Sequence, residues 1–408
     1  MKVAIAGFGV EGRASLDYWR GLGAEVVIAD ERDSLEGAPG DVEQLLGEDA
    51  FAKLDAYDTI IRSPSIHPNR LPYGNRVWSA TNEFFDKCPC PIIGVTGTKG
   101  KGTTCSLAAS ILRAGGYTVH LVGNIGIPAL EILPIVRPSD IVVFELSSFQ
   151  LWDIKKSPHV AVVLMIEPDH MDVHSNFEEY IDAKTNIVRF QDKHDIVVYN
   201  QFNQQSASIA NQSLANKLPY PELAEEFKAS LLIPGIHNQE NASAAISAVR
   251  EYGIDDDLIR HGLENFPGLP HRLKFVTEKN EIKYYDDSIA TTPGSAIAAM
   301  HSFSEPKILL LGGSDKGADY EDVVSVAKST ATRVLAIGQT GERIKELCDQ
   351  QGVYVEREEA GMQNVVEHAA SMAEPGDVVI LSPASASFDQ YKSYADRGEQ
   401  FVGAVSKL

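Results

Sequence analysis

The chain has 408 residues, too many for one ordinary hydrophobic core, so two or three domains are expected. Its 44% apolar and 23% charged residues are the balance of a soluble globular protein, not of a disordered or fibrous one. The formal net charge of −21, from 36 basic against 57 acidic residues, excludes a general nucleic-acid or anionic-membrane surface, so any phosphate site must be a local pocket.

The N-terminus runs straight into a strand pattern without the layout of a secretory signal, and apolar runs such as residues 160–166 are too short to span a bilayer. There are four cysteines; Cys88-Pro89-Cys90 is too close for an ordinary disulfide, and no metal-type spacing recurs. A cytoplasmic protein in a reducing compartment is expected. Short apolar runs alternate with longer amphipathic stretches, which predicts an α/β fold with largely parallel sheets. Prolines at Cys88-Pro89-Cys90-Pro91 and at Phe266-Pro267-Gly268-Leu269-Pro270 mark two joints. Three domains follow: 1–90, 91–266 and 267–408.

In the first domain a strand over residues 2–6 leads into Gly7-Phe8-Gly9-Val10-Glu11-Gly12, a helix from about Arg13, and a second strand over 25–29 that ends at Asp30. This is the Rossmann fingerprint: glycines for a tight turn, backbone close to a diphosphate, and an acidic side chain for a ribose hydroxyl. By itself it supports a diphosphate-bearing nucleotide and fits a nicotinamide dehydrogenase. Glycines serving only close strand–helix packing are the plainer alternative.

The second domain opens with a strand over 92–96 and the turn Gly97-Thr98-Lys99-Gly100-Lys101-Gly102-Thr103-Thr104, which feeds a helix. Such a loop turns successive amide groups inward as an anion nest, and Lys101 can reach the outer phosphates of ATP. Two positions depart from the usual P-loop. Val95 replaces its first glycine, and Gly102 follows the lysine, which moves the Mg²⁺ hydroxyl to Thr103. A strand over 141–144 ends in Glu145-Leu146-Ser147-Ser148, and Glu145 suits a hard cation. A strand over 160–165 ends in Glu167-Pro168-Asp169-His170-Met171-Asp172, where a metal or phosphate role is expected for His170. In the third domain, strands over 307–311 and 377–381 lead into Gly312-Gly313-Ser314-Asp315-Lys316 and the turn from Ser382 to Ser387.

Together the glycine fingerprint, Gly97-Thr98-Lys99-Gly100-Lys101, Glu145-Leu146-Ser147-Ser148 and Asp169-His170-Met171-Asp172 resemble the Mur ligase family along essentially the whole chain. Ser382-Pro383-Ala384-Ser385-Ala386-Ser387-Phe388-Asp389-Gln390-Tyr391, Arg397-Gly398, Gly123-Asn124-Ile125-Gly126 and Leu269-Pro270-His271-Arg272 are similar to its D-glutamate-adding branch. The resemblance implies a Rossmann-like N-terminal domain for the UDP end of UDP-N-acetylmuramoyl-L-alanine. It implies a central P-loop ATPase-type domain for ATP and two Mg²⁺ ions, and a Rossmann-like C-terminal domain for D-glutamate.

Residue by residue, the likeness puts Val10, Glu11, Asp30, Glu31, Arg32, Ser63 and Asn124 on the UDP substrate. It puts Asn238, Asn241, Arg272 and Asp287 beside ATP, and Thr103, Glu145, His170 and Lys184 on metal. Lys184 would be carbamylated, although read by itself it is a solvated helix residue. A dicarboxylic amine needs a cation and fixed donors, and Lys316, Thr291 and Ser387 can supply them; Tyr394 matches an aromatic residue near D-glutamate. Ile289 stands where some relatives carry lysine, and Ser65 where a glycine is common; both departures touch affinity before activity.

The expected reaction is phosphorylation of the L-alanyl carboxylate and attack of the D-glutamate amine on the acyl phosphate, in a monomer with Lys101, Glu145, His170 and Lys184 catalytic. The rivals are a related ligase with another amine, such as L-alanine addition or folate polyglutamylation, a dehydrogenase, and a silent nucleotide-binding subunit.

Overall fold

In the computed structural model, which describes residues 1–72, 74, 76–220 and 222–408, the buried aliphatic runs form three sheets. The first contains β1 (Lys2–Ala6), β2 (Glu25–Asp30), β3 (Glu43–Leu46), β4 (Thr59–Arg62) and β5 (Val77–Ser79), all parallel in the order β3-β2-β1-β4-β5. The chain winds outward from β1 to β3, then returns to the other side of β1 with β4. That reversal opens a crevice at the carboxyl ends of β1 and β4, where open α/β sheets bind ligands.

The second sheet holds β6 (Ile92–Thr96), β7 (Val119–Gly123), β8 (Ile141–Glu145), β9 (Val160–Val163), β10 (Ile196–Asn200) and β11 (Asn216–Tyr220). These strands too are all parallel, in the order β11-β10-β9-β6-β8-β7. Every residue of β6 and β8 is buried, as expected of parallel strands covered by helices on both faces. Helix Lys101–Ala114, rich in Ala, Leu and Ile, covers β6, β7 and β8 and stops at Gly115 and Gly116, the latter at φ 84°. Helix Phe177–Arg189 also lies on β6; Asn176 caps it, its side chain accepting from the Glu179 amide at 2.9 Å.

The third sheet contains β12 (Lys274–Lys279), β13 (Ile282–Asp286), β14 (Lys307–Leu311), β15 (Thr332–Ile337), β16 (Val355–Glu358) and β17 (Val378–Leu381). Its order is β12-β13-β17-β14-β15-β16, parallel except for the β12–β13 hairpin. Here the reversal falls between β14 and β17, and the turns after them meet in a bridge between Ser314 and Ala386.

The chain divides into two compact units, Met1–Phe227 with Glu240–Leu263, and Lys228–Gln239 with Glu264–Leu408. The first helix, Val10–Gly21, begins three positions before Arg13, because Gly12 already belongs to its first turn. A Cβ on Gly12 would stand 2.2 Å from the Gly7 carbonyl oxygen, so only glycine lets the helix sit that close to the strand. β9 stops at Val163, two residues short of the expected strand, and the chain from 164 to 170 runs irregularly. Among the described residues no helix is long and apolar enough to cross a membrane.

Candidate active site

The glycine turn after β1 is held for two reasons at once. Gly7 has φ 88°, and a Cβ there would meet Ile66 Cδ1 at 2.8 Å, whereas a Cβ on Gly9 would meet nothing within 4 Å. The packing need and an open cradle therefore coexist. Asp30 closes the turn: Oδ2 accepts from the Phe8 amide at 2.8 Å and Oδ1 from Arg32 Nε at 2.8 Å. The Arg32 guanidinium holds the Asp30 carboxyl down to about 2. Ser63 donates to the Gly7 carbonyl at 2.7 Å, and Arg70 pairs with Glu31. A cavity of about 310 Å³ is lined here by Gly7, Gly9, Asp30, Glu31, Arg32 and Ser65 among others.

Three residues expected in that group sit elsewhere. Val10 is 71% exposed at the start of its helix. Glu11 turns to the second sheet, accepting from Gln150 Nε2 at 2.6 Å, and burial raises its carboxyl. Asn124 is exposed after β7, its amide donating to the Glu145 carbonyl at 3.4 Å.

The second cluster lies at the carboxyl ends of β9, β6 and β8. Gly97 (φ 152°) and Gly100 (φ 86°) shape the loop, and a Cβ on Gly100 would fall 2.2 Å from Asn241 Oδ1. Thr104 Oγ1 donates to the same Asn241 oxygen at 3.3 Å, so Asn241 braces the loop from behind. Thr103 and Thr104 are buried in the first turn of the helix, and Lys99 is exposed.

Lys101 Nζ donates to the carbonyls of Gly97 and Thr98, both at 3.1 Å. Lys184 Nζ reaches the same Gly97 carbonyl at 3.0 Å and lies 4.5 Å from the centre of the Tyr180 ring. Burial, then the Lys101 charge, hold Lys184 well below the ordinary lysine value, while Asp169 and Glu145 pull the other way. Lys184 is thus not solvated, as its sequence context alone predicts, but 1% exposed. The missed signal is helical spacing: Tyr180, Ala183, Lys184 and Ile187 share one buried stripe.

His170 has φ 56°, and its Nε2 stands 3.6 Å from Asp169 Oδ2. Thr103 and Glu145 carry oxygen donors of the kind a hard cation such as Mg²⁺ takes. The Lys184 amine is no such donor unless converted to a carbamate. Among the described residues no group of three or more His, Cys, Asp or Glu side chains is arranged to hold a metal.

Sequence reasoning passed over His174. Its Nε2 lies 2.9 Å from Ser148 Oγ and its Nδ1 3.0 Å from Glu179 Oε2, while Trp152 Nε1 donates to Glu179 Oε1 at 2.6 Å. Burial lowers the imidazole's proton affinity, and the neutral ring accepts from the serine and donates to the carboxylate. Phe149 stacks on His174 at 5.3 Å and touches His170 at 5.1 Å. The turn that follows Glu145 is therefore stapled to the helix that carries Lys184. No sequence pattern announces this staple, because its members lie 26 and 5 positions apart.

In the other unit Asp287 is buried; Oδ1 accepts from the Leu273 amide at 3.0 Å and Oδ2 from Ser382 Oγ at 2.7 Å. Burial pushes its carboxyl up to about 7. Arg272 is exposed, and Asn238 donates to the Pro234 carbonyl at 2.6 Å. Arg397 is fully buried and donates to Ser288 Oγ at 2.9 Å and to the carbonyls of Ser288, Ser385 and Ala386. It knits the 286–290 and 384–387 turns to helix Tyr394–Ser406, and burial lowers it to about 10. Gly398 follows because any Cβ would meet His271 Nδ1 at 2.1 Å. Ser387 is buried in the turn and Thr291 is exposed, while Tyr394 starts the helix at 42% exposure. The Lys316 ammonium lies 5.5 Å from the Phe388 ring centre. Ile289 is half-buried, its amide donating to the His271 carbonyl.

Two family models match: the Mur ligase middle domain over residues 95–220, and the Mur ligase, glutamate ligase domain over 271–385. A UDP-N-acetylmuramoylalanine--D-glutamate ligase of Acetivibrio thermocellus is 36% identical, covering 100% of this chain and 96% of its own length. One of Clostridium botulinum is 33% identical, with 100% and 97% covered. Among solved structures, UDP-N-acetylmuramate-alanine ligase MurC of Thermotoga maritima superposes with a TM-score of 0.62 at 16% identity, over 100% of this chain and 99% of that one. MurF of Acinetobacter baumannii reaches a TM-score of 0.60 at 19% identity, over 84% and 85%. These likenesses carry the fold, and the full-length sequence relatives carry the family: the chain belongs to the Mur ligases.

Proposed function

We propose that the chain is an ATP-dependent ligase that adds D-glutamate to UDP-N-acetylmuramoyl-L-alanine in peptidoglycan precursor synthesis. The observation that carries this reading is the meeting of Lys101 and Lys184 on one carbonyl of a glycine loop, with Glu145 at the neighbouring strand end. The full-length likeness to D-glutamate ligases supports the choice of substrates.

Under this reading residues 1–90 take the UDP substrate, with Asp30, Glu31 and Arg32 lining the cavity and Ser63 bracing its glycine turn, while Val10, Glu11 and Asn124 stand outside that lining. Residues 91–266 take ATP on the loop from Gly97 to Thr104, backed by Asn241. Residues 267–408 take D-glutamate through Thr291, Lys316, Ser387 and Tyr394. The loop amides and Lys101 orient the γ-phosphate and offset charge as the alanyl carboxylate attacks it. The amine then displaces phosphate from the acyl phosphate through a tetrahedral intermediate.

Thr103 and Glu145 would hold one Mg²⁺, and His170 with carbamylated Lys184 a second. Bound there, the ions would supply Lewis-acid charge neutralisation. The depressed Lys184 amine supports carbamylation, since only the neutral amine adds CO₂. The protein would act as a cytoplasmic monomer, which sedimentation at working concentration checks.

The test is phosphate release from ATP and Mg²⁺ with UDP-N-acetylmuramoyl-L-alanine, trying amino acids one at a time. Release that requires D-glutamate, with a product heavier by one glutamyl group, is expected. Release with a different amine would keep the ligase and overturn its substrate.

A further inference from the structure

We infer that Cys88 and Cys90 form a redox-active dithiol, a modification site that a low-molecular-weight disulfide oxidises to an intrachain disulfide. The pair occupies the joint between helix Ala80–Lys87 and β6. Pro89 fixes its own φ and forces the residue before it to be extended, and Cys88 has φ −62° and ψ 122°. This rigid turn brings the two thiols into contact, Sγ to Sγ 3.7 Å, with Cys88 Sγ also 3.6 Å from the Cys90 carbonyl. The other cysteines, Cys105 and Cys348, are each buried within a helix.

Position divides the labour between the two. Cys88 is half-buried and open to a small reagent, whereas Cys90 belongs to the core under β6 and β8. The hydrogen bond between them favours charge on Cys88, lowering that thiol and raising Cys90. Cys88 is therefore the attacking sulfur. Its thiolate attacks one sulfur of the small disulfide RSSR, whose S–S bond breaks; one thiolate leaves and takes up the proton that Cys88 lost. Cys90 then gives up its proton and attacks Cys88 Sγ, expelling the second RSH. Both thiol hydrogens end on the reduced small molecule, and the protein holds one new S–S bond.

A disulfide closed over a single residue is strained, so reducing buffers return it to the dithiol. The pair sits at the start of β6, whereas the glycine loop follows its end, so removing either sulfur leaves the nucleotide loop untouched. The inference does not depend on the proposed reaction.

The experiment equilibrates the full chain with mixtures of reduced and oxidised glutathione, quenches with an alkylating agent and maps the modified peptides by mass. The expected result is joint loss of label from Cys88 and Cys90 as the mixture becomes oxidising, with the linking peptide lighter by the two thiol hydrogens. Cys90→Ser should instead accumulate glutathione on Cys88, and Cys88→Ser should accumulate none while keeping its phosphate-release rate. Full labelling of both cysteines in oxidised glutathione alone would overturn the inference. So would a glutathione adduct on Cys88 of the unsubstituted chain that never resolves.

Discussion

Two lysine side chains converge on the Gly97 carbonyl, yet they came out of the sequence unequally. Lys101 is spelled by the glycines around it, and its replacement by alanine should lower ADP formation by about a thousandfold while the thermal transition stays in place. A folded variant with normal turnover would remove Lys101 from the mechanism. Lys184 has no such spelling, because a lysine in a helix reads as solvent-facing unless the apolar stripe beneath it is followed through Tyr180 and Ile187. Asp287 shows burial acting on a third ionisable side chain. Its folded value of about 7 lies above that of an unfolded aspartate, so the folded state holds the proton more tightly. Its contribution to stability is then full below about pH 4 and is lost as the pH rises through about 7. Urea transitions of the unit that carries it should fall to lower midpoints from pH 5 to pH 8, and fall less in Asp287→Asn. Equal slopes would contradict the assignment.

At the scale of elements, the strands and the loops at their ends were legible, and the braces between elements were not. Apolar runs and glycines report where a parallel strand stops, so Glu145 and the glycine loop were placed correctly. The Ser148–His174–Glu179 staple joins a turn to a helix, and only tertiary packing brings its members together. If Glu145 and Lys184 hold the proposed ions, His174→Ala should cut turnover about ten- to a hundredfold and raise the Mg²⁺ concentration needed for half-maximal rate, because the staple holds the elements that carry them. A titration in which only thermal stability moves would leave the staple a purely structural feature. Helix packing gives a second case. In helix Asp256–Glu264, a Cβ on Gly262 would stand 2.4 Å from the Ile111 Cα on the helix that carries the glycine loop. Gly262→Ala should therefore destabilise by about 1–3 kcal/mol in denaturant melts, and no loss of stability would mean the helices part without cost.

Across the whole molecule, each of the three sheets reverses its winding once and carries predicted site residues at that reversal. Gly9 and Ser63 mark it in the first sheet, Lys101 and Glu145 in the second, Lys316 and Ser387 in the third. The three-sheet plan was readable because each sheet contains a buried apolar strand running into glycines: β1 into Gly7, β6 into Gly97 and β14 into Gly312. The division into units was less so: Lys228–Gln239 groups with the later chain although it precedes the second proline joint, and long-range contacts decide that. In the proposed reaction the second sheet's crevice activates a carboxylate by phosphorylating it. This activation is tested most directly with UDP-N-acetylmuramoyl-L-alanine carrying heavy oxygen in its alanyl carboxylate, turned over with ATP, Mg²⁺ and D-glutamate. One heavy oxygen should appear in the released phosphate and the other in the new amide. Phosphate without the label would contradict the proposed activation, because no acyl phosphate would then have formed.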